Sequence, residues 1–151
     1  MSNPSGEASH WVVTLAKEER DRQQQIAAIQ EGLSKFLDVL VEALTADLVK
    51  YQIEFPEKNV LIDSDKTKGK VTVINRSLSP ETRAIIQAHP ERQKLVCHFE
   101  GTPSSVKSFD RQLIASNLGV HGEGVSVECT ARELSHGALE PILFPPFDCF
   151  N

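Results

Sequence analysis

Between Ile26 and Leu48 the apolar residues fall at Ile26, Ile29, Leu33, Phe36, Leu37, Leu40, Leu44 and Leu48. Steps of three and four put them on one side of a helix that turns every 3.6 residues. Gln30, Glu31, Lys35, Asp38, Glu42 and Asp47 fall on or near the other side. The pattern predicts one long amphipathic helix from about Thr14 to Tyr51, capped by Ser9 or Thr14. Its apolar stripe has to be covered, and the strand-rich remainder of the chain is the economical cover. At 1.5 Å per residue the helix spans about 50 Å. Its first half is strongly polar from Lys17 to Gln25, with an apolar cluster of Trp11, Val12, Val13 and Leu15 before it. That half is expected to overhang any sheet so short a chain can build. Gly32 marks a kink or a close approach of another backbone. Pro56 ends the helix by Phe55.

Beyond Pro56 the period changes from 3.6 to 2. Asn59 to Asp63 and Lys70 to Asn75 flank a polar loop and predict a hairpin. Ser79 to Arg92 carries two signals. Ser79-Pro80-Glu81 has the chemistry of a helix start, yet both neighbours are strands, and we read the segment as a strand. Lys94 to Glu100 alternates, with Leu95, Cys97 and Phe99 on one face and Lys94, His98 and Glu100 on the other. Val106 to Ala115 is a further strand with Phe109, Arg111 and Leu113 on one side. Val125 to Arg132 reads as the cleanest strand of the chain, its inner face made by Val125, Val127, Cys129 and Ala131. Ser135 to Phe144 is expected to form a short helix, capped by Ser135 and limited to two turns by Pro141. The tail from Ile142 to Phe150 is apolar and must bury itself on this protein or on another.

Composition bounds the function. The net charge of −5 and the 40% hydrophobic content describe a soluble globular chain and argue against a dedicated nucleic-acid binder. Residues 57–100 hold eight Lys/Arg against six Asp/Glu, a mild +2 that names no partner. The first ten residues lack an apolar run, and Leu33 to Val49 is broken by Lys35, Asp38, Glu42 and Asp47, so neither a signal peptide nor a membrane span is expected. Three cysteines without paired spacing suit a reducing compartment, and the expected location is cytoplasmic. Residues 1–9 are expected to be disordered and 10–151 to form a single α+β domain.

No catalytic, cofactor-binding or metal residue emerges from the motifs. Cys97 and His98 are adjacent on a strand and face opposite ways, so they cannot pair as nucleophile and base. Cys97 and Cys129 fall on apolar faces, where a thiol acts as a small hydrophobe. His89, Cys97, His98, His121, Cys129, His136 and Cys149 lack the close pairwise spacing of a zinc site. Ser104 to Lys107 matches S-x-x-K, but it sits in a Pro/Ser loop without its companion motifs. Gly122 and Gly124 precede a predicted strand, not the helix start a phosphate cradle needs. Lys66, Lys68 and Lys70 make a small basic hairpin tip without interleaved aromatics, too little for nucleic-acid affinity.

A long N-terminal helix, a strand meander and the ending Leu139-Glu140-Pro141-Ile142-Leu143-Phe144 resemble a set of small uncharacterised bacterial proteins. The resemblance implies the helix-plus-meander plan and carries no activity, cofactor or site residue. The expected fold is α+β: the long helix on a mostly antiparallel meander sheet, with a short C-terminal helix. The expected function is a non-enzymatic binding or assembly module. It would act through the helix stripe, the open sheet face or the apolar tail, pairing as a homodimer or with a protein partner, without a cofactor or a membrane. Two alternatives stay open. One is a small hydrolase or transferase using Cys97, Cys129 or His121 in a cleft. The other is a carrier of a small apolar ligand between helix and sheet.

Overall fold

The apolar stripe does build the molecule. In a computed structural model, which describes residues 4–77 and 79–146 and side chains from residue 10 onward, it lies within a single helix, α1 (Pro4–Glu54). Ile29, Phe36, Leu37, Leu40 and Leu44 are fully buried along it, with Leu48 and Tyr51 nearly so. The helix begins earlier than Thr14 and runs roughly 75 Å at 1.5 Å per residue.

Strands follow in the order in which they pair. β1 (Val60–Asp65), β2 (Lys70–Asn75), β3 (Thr82–His89), β4 (Lys94–Glu100) and β5 (Phe109–Gln112) form one antiparallel meander in sequence order. The segment read as strand over helix is therefore a strand, β3, preceded by a cis Ser79–Pro80 peptide. Register fixes the faces, because partners across a ladder point the same way. Val71 stands opposite Ile86, Ile86 opposite Cys97, and Cys97 opposite Phe109, so these four share the core side. Leu61, Ile74, Arg83 and Glu100 likewise share the outer side.

The predicted strand Val106 to Ala115 is divided. Its alternation is as expected, but Leu113 is fully buried and its N–H donates to the Gln93 carbonyl at 2.8 Å. There the chain leaves the large sheet for a separate hairpin, β6 (Ile114–Ser116) with β7 (Gly119–His121). The hairpin packs on α1. Gly32 is the contact point: a Cβ there would stand 2.9 Å from Cγ2 of Val120, so the missing side chain admits β7. Gln25 does the complementary task. Its amide donates to the Ala115 carbonyl and accepts from the Ala115 N–H, both at 3.0 Å, filling the place of a neighbouring strand on β6.

The reading of Val125 to Arg132 as a strand is overturned. The segment opens α2 (Val127–Leu143), which also absorbs the helix predicted from Ser135. Ser126, not Ser135, is the N-cap, its hydroxyl accepting from the Cys129 N–H at 3.1 Å. Buried positions in α2 are Thr130, Ala131, Leu134, Ser135, Ala138, Leu139 and Ile142, a three- and four-step pattern. The alternation of Val125, Val127, Cys129 and Ala131 covers about two turns, too short to separate period 2 from 3.6. Cys129 is consequently exposed instead of inward-facing. Pro141 lies in the last turn, and the helix ends two residues after it.

α2 lies on β2 and β3, and α1 packs along α2 while reaching β1 and the small hairpin, giving two helices over one face of the sheet. The last carbonyls of a helix need outside donors. Ile142 O receives them from the sheet: Asn75 Nδ2 at 2.9 Å and Thr82 Oγ1 at 3.4 Å, both residues buried.

Candidate functional site

The first feature without an internal role is the start of α1. From His10 to Gln24 every side chain except Ala16 is exposed, and burial begins at Gln25 and Ile26. Trp11 is 59% exposed and Leu15 53%, with Val12 and Val13 similar. Leu15, Leu33 and Tyr51 recur at intervals of about five turns of 3.6 residues, so they stand on one line along the helix. Trp11 and Val12 flank that line one turn before Leu15. The outward arm therefore continues the same side that the body buries lower down. Between the two apolar stretches the arm is held by its own polar contacts. Arg22 donates to the Glu19 carboxylate at 3.0 and 3.1 Å, and Gln23 donates to it at 3.0 Å. These contacts hold the Glu19 carboxyl down at about 2, the Arg22 hydrogen bond contributing most.

The second feature is a groove of about 640 Å³ along the seam of α1 and α2. Its floor is Tyr51, Phe55, Leu139, Leu143 and Phe144. Tyr51 meets Phe55 at 4.9 Å between ring centroids and Phe144 edge-on at 5.6 Å. A neighbouring groove of about 620 Å³ continues along the seam and shares Asp47, Lys50 and Arg132 with the first. Asp47 is engaged, accepting from the Ser135 hydroxyl at 2.6 Å. Both grooves open on the outer surface of the helix pair. Between helix and sheet, where a carried apolar ligand would sit, fully buried side chains such as Phe36, Leu40 and Val73 occupy the space.

The candidate residues for chemistry do not form one constellation. Cys97 is buried in the core on β4, and burial pushes its thiol up to about 12, so it is a packed thiol and not a nucleophile. Cys129 is exposed on the first turn of α2. His121 on β7 is buried, its Nδ1 2.8 Å from the Gly122 carbonyl and its Nε2 2.8 Å from the Ser116 hydroxyl. A carbonyl only accepts, so Nδ1 donates to Gly122, and Nε2 shares a hydrogen bond with the Ser116 hydroxyl. Ser116 next to His121 is a nucleophile–base spacing that sequence reading missed, since the β6–β7 pairing brings the two together. The same hydroxyl also accepts from the Leu118 N–H at 3.1 Å, which makes it a pin of the hairpin turn. Neither residue lines the grooves of the helix seam.

Among the described residues no group of three or more His, Cys, Asp or Glu could hold a metal ion. The basic hairpin tip is folded back, with Lys66 paired to Asp38 of α1. No described helix is long and apolar enough to cross a membrane. Of the apolar tail, Ile142 is buried, Leu143 half-buried and Phe144 exposed, while Phe147 and Phe150 lie outside the described residues. No family model, curated protein or solved structure matches this chain.

Proposed function

We propose that this protein is a non-enzymatic assembly module that pairs with a second copy of itself through the arm of α1. One observation carries the reading: Trp11, Val12 and Leu15 are exposed on the helix side that the body buries from Ile26 onward. A lone helix of some fifteen residues is marginal in water, and most helical stability in proteins comes from packing an apolar side. Pairing supplies that packing where the sheet does not reach. Charge favours a second copy over a strongly charged partner. Lys17, Arg20 and Arg22 balance Glu18, Glu19 and Asp21, so two arms approach without net repulsion. With so small a patch on each copy the pairing is weak and concentration-dependent.

Trp11 is the only tryptophan, so its fluorescence reports the arm alone. Sedimentation or light scattering across a range of concentrations is expected to move from monomer to dimer. The indole emission should shift to the blue along the same curve. Trp11→Ala with Leu15→Glu should leave a monomer with the same circular dichroism in the body. A protein that stays monomeric at high concentration, with the emission of a hydrated indole throughout, would rule the proposal out.

A further inference from the structure

The two grooves along the seam of α1 and α2 have a definite order of chemistry. One end is aromatic, with Tyr51, Phe55 and Phe144 on the floor and Glu54 and the His136–Glu140 pair at the edge. The middle, common to both grooves, holds Asp47, Lys50 and Arg132. The far end sets Glu42 and Glu128 beside Val39 and Ala46. Asp47 is taken up by the Ser135 hydroxyl. Lys50, Arg132, Glu42 and Glu128 make no ion pair among the described residues. Along the seam the order is therefore aromatic, basic, acidic. From Val39 to Glu54 the seam follows α1 for about 22 Å, and the exposed arm from His10 to Gln24 is about 21 Å long.

The arm carries the matching order on one side. Trp11, Leu15, Glu18 and Arg22 follow one another at steps of four, three and four, so they share a helix face. Read along the arm they are apolar, apolar, acidic and basic. Trp11 to Arg22 covers about 17 Å, between the distances from Glu42 to Tyr51 and to Phe55, about 14 and 20 Å along α1. The arm cannot reach its own seam, because α1 is one continuous helix from Pro4 to Glu54. We propose that the seam groove of one copy receives the α1 arm of a second copy, antiparallel to the α1 that forms the groove. The inference rests on the pairing proposed above and names the surface that the arm meets. Trp11 and Leu15 lie on the aromatic end, as anchors of a helix in a groove. Glu18 faces Lys50 and Arg132, and Arg22 faces Glu42 and Glu128. The opposite direction would put Trp11 between two carboxylates and Arg22 over the rings. Antiparallel is also the direction that lets the contact be made twice about a two-fold axis.

Charge reversal tests the docking without touching the core, since Lys50 and Arg132 are both exposed. Lys50→Glu with Arg132→Glu turns the middle of the groove acidic and should leave the circular dichroism of the dilute chain unchanged. Sedimentation over a concentration series then compares it with the natural sequence. The dissociation constant of the dimer should rise on the order of tenfold, because two attractions become two repulsions at the edge of a contact. Adding Glu18→Lys to the same chain restores opposite charges across the contact and should bring the constant most of the way back. Glu18→Lys alone, against the natural groove, should weaken pairing. A reversed groove that dimerises as well as the natural one overturns the docking and leaves the pairing of arms standing. Weakened pairing that Glu18→Lys fails to restore overturns it as well. A natural chain that never dimerises removes the pairing and the docking together, so the two failures are told apart by the unaltered protein.

Discussion

At the scale of single residues, Cys97 illustrates what a sequence does and does not disclose. Its place on an apolar face follows from the alternation of Lys94 to Glu100, and it is fully buried. Cys129 has the same look in sequence and is exposed, because the segment around it is helical and its neighbours in space are set by α2. The Ser116–His121 contact is illegible for a different reason. It depends on a three-residue strand pair, too short for its alternation to be read locally, that packs on α1. The buried thiol has a measurable consequence in alkali. Burial raises Cys97 to about 12 and also raises Tyr51, where burial acts first and the charge of Glu57 second. The unfolded chain releases these protons at about 8.5 and 10, the folded chain only later. The folded state therefore binds more protons in that window, and stability falls as pH rises through it. Denaturant midpoints should decline above about pH 8.5. Cys97→Ala, though weaker at neutral pH through its lost packing, should show a shallower decline. An identical slope in the variant would exclude the thiol as its source.

At the scale of elements, α1 and the meander are readable because their patterns are long. Eight apolar residues at helical steps outweigh any local irregularity, and strands β1 to β4 each carry six to eight residues between turns. α2 is hidden because its first two turns mimic alternation and because Pro141 suggests a late, short helix. What fastens α2 is equally invisible in its own sequence. The Ile142 carbonyl is satisfied by Asn75 and Thr82 from strands far away in the chain. Asn75 makes the shorter bond and also accepts from the Ser77 N–H at 3.0 Å, so it joins helix end, strand end and turn. Asn75→Ala should destabilise the fold by about 1–3 kcal/mol, the cost of a buried polar group left without its partner. Thr82→Val, which removes the 3.4 Å contact, should cost less. Urea unfolding of the two variants decides the order, and a larger loss for Thr82→Val would mean that Asn75 is not the main cap.

At the scale of the whole molecule, the same helix serves two regions with different demands. From Ile26 to Tyr51 it is a wall of the core, so its stability is that of the body and is lost with the body. From His10 to Gln24 the side chains are exposed apart from Ala16, and the Glu19 contacts lie within the arm itself. This division predicts how melting responds to concentration. A partner that binds only the folded form raises the melting temperature in step with the logarithm of its own concentration, and for a second copy that concentration is the protein's own. The full chain should therefore melt later when concentrated, by a few degrees across a range on the order of a hundredfold for a domain of this size. A chain lacking residues 1–22 keeps Gln25 on the β6 edge and the whole buried stripe. It should melt at the temperature the full chain reaches on dilution, with no concentration dependence. If the shortened chain melts well below that limit, the arm stabilises the body directly. If the full chain shows no dependence at all, Trp11 and Leu15 have no second copy to meet, and the exposed stretch of α1 needs a different partner.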